Sequence, residues 1–293
     1  MRNSIMCLSS LLAMLAAPAI GHAQGVEKTL DRIKNTGKIT LGYRESALPF
    51  SFVDAQQKPA GYTLDLCERV VGAIKKSLAL PEIDVQYVLL KATDRIAKVV
   101  DGTVDLECGA TTNLKERAKL VNFSNTIFLA ETKVLVKKES GIKTLDDLRN
   151  KRVTLTQGAL GAVVLSKIDA QKGLNIRYIR SHENTESFKA LEDGKVDAFV
   201  HDDIQLALFV AKSANPKEYL MLDTALSRDP IGIAMRKDEP KLAQLVNAAL
   251  DSAYKSGDFN KIYARWFITP AFKFPLGEAM KQALNAPGNT PAN

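Results

Sequence analysis

The sequence predicts an α/β protein of two similar lobes. Three observations carry this. Helical and strand periodicities alternate along nearly the whole chain, a helix, Asp-Gly, strand unit occurs twice, and two apolar strands sit where the chain would cross between lobes. Strands alternating with helices imply a mostly parallel sheet with helices packed on it in each lobe.

The chain opens with a leader: Arg2, an apolar run over residues 6–20 that is short for a membrane span, and Gly21-His22-Ala23, with small residues at both positions a signal peptidase reads. Residues 1–23 are therefore expected to be a signal peptide, cleaved after Ala23, and the mature chain is expected in the periplasm. An uncleaved anchor is the alternative, but Cys7 lacks the small-residue context of a lipidated Cys. Val26, Leu30 and Ile33 then form a helical stripe ended by Gly37, and residues 38–43 read as a strand. Leu66, Cys67, Val70, Val71, Ile74 and Leu78 share one face of a helix over 64–78, which Pro81 stops before a strand over 83–90.

The repeated unit runs from Asp94 through Asp101-Gly102 to Cys108, and again from Glu186 through Asp193-Gly194 to Val200. A helix that turns tightly into a strand commonly passes through a left-handed residue, which Gly adopts without steric penalty. The two strand tips are Cys108-Gly109-Ala110-Thr111-Thr112 and His201-Asp202-Asp203. Strand tips are where open α/β sheets bind ligands. Residues 131–138 and 230–235 read as the crossing strands, 241–267 as helix, and 286–293, rich in Pro, Gly and Asn, as a disordered tail.

Composition narrows the function. With 46% hydrophobic and 25% charged residues the chain is that of a soluble globular protein. Forty Lys and Arg against 33 Asp and Glu give +7 and favour anionic partners, but the excess is diffuse, which argues against nucleic acid. Three Cys and three His, one of each in the leader, nearly exclude a metal site. Gly158-Ala159-Leu160-Gly161 lacks the Lys-Ser/Thr of a phosphate-cradling loop, so neither a nucleotide site nor any cofactor is expected.

Gly61-Tyr62-Thr63-Leu64-Asp65-Leu66, continued by Val70, Val71 and Ile74, resembles the signature of the family 3 extracellular solute-binding proteins, the polar amino-acid receptors of bacterial ABC importers. The resemblance extends through Tyr43-Arg44-Glu45-Ser46, residues 105–113, Glu116-Arg117, residues 123–128, Asp202-Asp203 and Trp266-Phe267. It covers nearly the whole mature chain and is strongest to the glutamate/aspartate-binding branch; Thr63 stands where the family usually has an acid. It implies a two-lobed type II periplasmic binding-protein fold that closes on its ligand in a cleft between the lobes, with residues 24–134 and 231–293 as lobe 1 and 135–230 as lobe 2. It also implies an amino-acid ligand and an inner-membrane ABC permease as partners, for a protein expected to be a monomer and not an enzyme.

A dicarboxylic amino acid needs two anion sites and one acid. Thr112-Asn113 read as a helix start, with Glu116 placed as in a capping box and Arg117 one turn in. These residues alone equally suit an ordinary capped helix with a solvated Arg. The resemblance implies that Thr112 and Arg117 hold the α-carboxylate. It also implies that Asp202 pairs with the ammonium, with Asp203 free to cap the next helix, and that Arg44 and Arg95 receive the side-chain carboxylate. Ala159 replaces a Thr of relatives and leaves backbone N–H groups, that of Leu160 among them. Asn184 stands for a His, and Ala92 and Ala110 for Ser, which puts ligand identity rather than ligand class in doubt.

Cys67 lies on the inward helix face and Cys108 alternates with Val104 and Leu106, so the two either bond in an oxidising compartment or remain buried thiols. Glu107 points to the opposite face with no role assigned. His201 is expected to face away from Asp202, as consecutive strand residues do. Alternatives are a same-fold exported enzyme, such as a cyclohexadienyl dehydratase-like one, a receptor for glutamine or asparagine, and a chemosensory receptor.

Overall fold

The computed structural model describes residues 28–270 and 272–292; the expected signal peptide and Val26 lie outside them. The first part of the chain forms α1 (Thr29–Thr36), β1 (Lys38–Arg44), β2 (Ser46–Ala47), β3 (Ser51–Val53), β4 (Pro59–Ala60) and α2 (Tyr62–Ser77). It continues through β5 (Asp84–Leu90), α3 (Arg95–Val100), β6 (Leu106–Glu107), α4 (Lys115–Ala118) and β7 (Val121–Phe123). A second group follows: β8 (Phe128–Lys137), β9 (Arg152–Thr156), α5 (Leu160–Lys172), β10 (Arg177–Ser181), α6 (Asn184–Glu192), β11 (Ala198–Asp202), α7 (Asp203–Lys212), β12 (Tyr219–Met221) and β13 (Ser227–Ile231). The chain then returns through β14 (Ala234–Arg236), α8 (Pro240–Ser256), α9 (Asp258–Phe267) and α10 (Glu278–Asn285).

One sheet has the order β5-β1-β6-β14-β7 and the other β10-β9-β11-β8-β12, with β13 also on β8. The repeated unit accounts for this likeness. α3 passes through Gly102 (φ 78°) into β6, and α6 passes through Gly194 (φ 67°) into β11. Each arriving strand takes the third place of its sheet. The first three strands of each sheet are parallel, whereas β14 and β8 run against their neighbours, so both sheets are mixed.

Side-chain alternation sets the cores. Along β8, Val134 and Val136 face one apolar cluster with Val153, Leu155 and Leu165, and Leu135 faces another with Phe188, Phe199 and Phe209. Around the first sheet, α2, α8 and α9 bury a stack of rings, Phe50, Tyr62, Phe128, Tyr263 and Phe267, and the Tyr62 hydroxyl donates to Ile127 O at 2.7 Å. α2 covers the face reached by Cys108, and Cys67 and Cys108 form a disulfide with Cα atoms 6.3 Å apart.

Three expectations change. The strand predicted over 230–235 is two strands in different sheets, separated by Gly232, where a Cβ would stand 3.2 Å from Ser124 O. The helix predicted over 241–267 breaks at Gly257, whose φ of 78° ends α8 and begins α9. The tail expected to be disordered is held by backbone pairing: Ala292 N donates to Asn113 O (2.8 Å), Lys115 N to Ala292 O (3.1 Å) and Thr126 N to Gly288 O (2.8 Å). Composition signals disorder because it measures apolar mass, and this segment is ordered by main-chain bonds instead.

The two sheets are joined by paired crossings. Ser124 N donates to Ile233 O and Ile127 N to Ile231 O, both at 2.9 Å, and Ile233 N returns a bond to Ser124 Oγ.

Candidate functional site

The C-terminal tips of the parallel strands in both sheets face each other. From the first sheet come Arg44 at the end of β1, Ala92 and Arg95 beyond β5, and Ala110 and Thr112 beyond β6. From the second come Thr156 at the end of β9, Ala159 and Leu160 beyond it, Asn184 beyond β10, His201 and Asp202 at the end of β11, and Gln205 in the first turn of α7. They enclose a cavity with about 20 Å³ of free space, enough for about one water molecule. Ligand pockets measure roughly 300–1,000 Å³, so the two sides are shut on one another and a small-molecule ligand enters only when they part.

Two sets of bonds hold the cleft shut. Gly158 O accepts from Arg95 Nη2 (3.2 Å) and Arg117 Nη2 (2.9 Å), two guanidiniums from the opposite side on one carbonyl. At the other end Glu183 Oε2 accepts from Arg44 Nη2 (2.9 Å) and Ser46 Oγ (2.7 Å), while Asn184 N donates to Ser46 Oγ (3.1 Å). Gly158 itself has φ 76°, and a Cβ there would stand 2.6 Å from Ala92 O. Only glycine permits that approach.

The cavity wall carries a directed hydrogen-bond chain. His201 Nδ1 accepts from Asp202 N (2.7 Å), so the proton lies on Nε2, which donates to Asn184 Oδ1 (3.0 Å). Asn184 Nδ2 donates to Gln205 Oε1 (2.8 Å), and Gln205 Nε2 donates to Asp202 Oδ2 (3.1 Å). Burial, then the nearby Arg44 and Arg95, pull the His201 imidazole down to about 3, so it is neutral at physiological pH. Burial pushes the Asp202 carboxyl up to about 6, against the pull of Gln205, Arg95 and Arg117. Burial, then Arg117, brings Arg95 down to about 9. Behind the arginines lies Glu107, fully buried, with neither carboxylate oxygen hydrogen-bonded among the described residues. Its charge favours the ionised Arg95 and Arg117. Of the three guanidiniums, Arg44 thus pairs with Glu183, while Arg95 and Arg117 lie in the field of Glu107 and Asp202.

A cleft at facing strand tips, shut by bonds between the two sides, is the geometry of a clamp on a small ligand. The family model of the bacterial extracellular solute-binding proteins, family 3, matches residues 39–269, from β1 through α9. The chain belongs to that family. This family 3 protein is 38% identical over 97% of its length to the L-glutamate/L-aspartate-binding protein of Pseudomonas aeruginosa, of which 96% is covered. It is 36% identical over 95% of its length to the glutamate/aspartate import solute-binding protein of Escherichia coli, of which 92% is covered. Among solved structures it is similar to an ancestral arginine-binding protein bound to arginine, with a TM-score of 0.71 and 28% identity over 79% of this chain and 98% of that one.

Nine residues whose place in the site the sequence suggested line the cavity of this solute-binding protein: Arg44, Ala92, Arg95, Ala110, Thr112, Ala159, Leu160, Asn184 and Asp202. Arg117 stands beside it, donating to Thr112 O (3.0 Å) as well as to Gly158 O. Asp203 Oδ1 accepts from the backbone N–H groups of Ile204 and Glu131, and Asp202 accepts from Gln205.

The helix start at Asn113 needs correction. α4 is a single turn capped at Leu114 without a side-chain bond, and Glu116 pairs with Lys119 in solvent. The N–H groups expected to be free are spent: Asn113 N donates to Pro230 O, Leu114 N to Thr112 O and Lys115 N to Ala292 O. His201 is also corrected. β11 ends at Asp202, where the chain turns into α7, so both side chains reach the cavity.

Residues whose place at the site was not anticipated are Ala47, Thr156, His201 and Gln205 in the cavity wall, and Ser46 and Glu183 beside it. Gln205 lies one turn after Asp202 on α7, a helical spacing readable in the sequence. Glu183 and Glu186 form the capping box of α6, with Glu where the readable pattern has Ser or Thr, and the reach of Glu183 to Arg44 leaves no local signal either. Among the described residues no group of three or more His, Cys, Asp or Glu could hold a metal ion, and no helix is long and apolar enough to cross a membrane.

Proposed function

We propose that this protein is a periplasmic receptor that captures an acidic L-amino acid, glutamate or aspartate, and delivers it to an inner-membrane ABC permease. The observation that carries the reading is the gathering of Arg44, Arg95 and Arg117 with Asp202 around one cavity at the facing strand tips. Two carboxylates and one ammonium match that set. Relatives 36–38% identical bear glutamate/aspartate-binding names, which supports the same ligand class.

In this reading Thr112, Arg117 and the Leu160 N–H receive the α-carboxylate, Asp202 the ammonium, and Arg44 and Arg95 the side-chain carboxylate. Ala110 and Asn184 shape the wall. The expected boundary at 134 moves to the crossing, so that β8 stays whole within its sheet: residues before the paired crossings at 124–127 and after 231–233 move as one lobe, and those between them as the other. Residues 1–23 direct export, and the mature protein acts as a monomer without cofactor or catalytic step. Each lobe alone supplies part of the contacts, so binding and closure are coupled.

A thermal-shift panel of glutamate, aspartate, glutamine, asparagine and a cyclic acid on refolded, ligand-free protein tests this. Stabilisation by the two acids is expected. A response to the amides alone would overturn the assignment of Arg44 and Arg95, and turnover of the cyclic acid would make the protein an enzyme.

A further inference from the structure

Arg44 lines the cavity, yet its Nη2 is already committed to Glu183 from the other side of the cleft, at 2.9 Å. The pair is well shielded, with the Arg44 side chain 3% and the Glu183 side chain 14% exposed. Shielded pairs keep their strength in salt better than surface ones. The Glu183 carboxylate is held in place independently of Arg44. It accepts from the third residue of α6 in the capping box, and the same oxygen that meets Arg44 also accepts from Ser46 Oγ. Asn184, next along, is fixed by His201 and Gln205. Moving Glu183 away from Arg44 would therefore uncap a helix or open the cleft.

We infer that Glu183 is a positioning residue that clamps Arg44 across the closed cleft, so that the chain supplies from within itself one of the carboxylates that draw its two sides together. Two consequences follow. Closure is partly independent of ligand, because Arg44, Ser46 and Glu183 pair without one. And Arg44 meets a ligand side chain as half of an ion pair rather than as a free cation, which narrows the preference for acids over their amides. The second consequence rests on the proposed function, the first does not.

Glu183→Gln tests both, since its amide oxygen can still cap α6 while the charge is gone. Small-angle scattering of the ligand-free protein should give a larger radius of gyration for the variant than for wild type. Calorimetry should give a ratio of glutamine Kd to glutamate Kd raised about tenfold or more, the worth of one hydrogen bond to a charged group. Ser46→Ala, which keeps both charges, should open the free protein less and leave the ratio unchanged. A folded Glu183→Gln protein with the wild-type radius overturns the clamp, and so does an unchanged ratio. Where wild type binds neither acids nor amides, the function is wrong and the radius alone decides the clamp.

Discussion

Gly158→Ala probes whether the shut cleft is the ligand-binding state. The added Cβ would stand 2.6 Å from Ala92 O, 2.8 Å from Ala92 C and 3.0 Å from Thr93 N, all backbone atoms that cannot rotate away. Ordinary contact begins near 3.4 Å, so the two sides must part by about 0.8 Å. Applied to the bonds on Gly158 O, that displacement takes Arg117 from 2.9 Å and Arg95 from 3.2 Å to beyond hydrogen-bond reach. Side chains follow in part; with one charge-assisted bond lost, the cost is about 2–3 kcal/mol, or about 30- to 150-fold in affinity. A second cost, about 1–2 kcal/mol for alanine in the left-handed region, is local to the turn after β9. It is present whether the cleft is open or shut, so it appears in stability and not in affinity. Calorimetry with L-glutamate measures the first cost and thermal unfolding without ligand the second. A Kd within threefold of wild type, alongside a lowered Tm, would refute the reasoning, because the close approach of Gly158 to Ala92 would then play no part in the bound state.

Other outcomes are expected. Replacing Cys67 and Cys108 together by Ser should lower the unfolding free energy by about 4 kcal/mol, the chain-entropy value for closing a loop of this separation, 41 residues; equal urea midpoints for wild type with and without reductant would contradict it. For Asp202, the folded carboxyl is raised to about 6, above the unfolded value, so its contribution to the stability of the free protein is present below about pH 4 and lost as pH rises through about 6. Binding an ammonium needs the ionised form, so Kd should weaken by up to about tenfold per unit below pH 6, and a titration showing equal Kd at pH 5 and 7.5 would refute the pairing. Deleting residues 287–293 removes Ala292 from the backbone of Asn113 and Lys115 and Gly288 from that of Thr126, and should lower Tm by a few degrees; the same deletion should weaken ligand binding, read by calorimetry.

What was legible in the sequence was local or periodic. The alternation of elements, the two Asp-Gly turns, the inward faces that bring Cys67 to Cys108 and the strand tip that carries Arg44 all follow from spacing within one element or two neighbouring ones, whereas the roles expected of Arg44, Arg95 and Arg117 came from the resemblance. What was missed depends on distant partners. Asn113 loses its capping role because Pro230, Asn289 and Ala292 come to its backbone and side chain from the far end of the chain. Glu183 meets Arg44 across 139 positions, and no window of sequence contains both. His201 was misplaced by strand alternation, a rule that fails where a strand turns into a helix. The tail was misjudged because its order comes from main-chain bonds, which leave little trace in composition.

The place of β14 bears on how the molecule is made. It lies between β6 and β7, which pair with it and not with each other, yet its residues are synthesised only after the whole of β8 through β13. A chain that emerges N-terminus first, from a ribosome or a translocation pore, therefore holds its first sheet unfinished, with two strands lacking their shared neighbour, until more than two thirds of its length has appeared. Long-range pairings of this kind form slowly. Completion of the first sheet therefore waits on a strand that belongs to the last part of the chain.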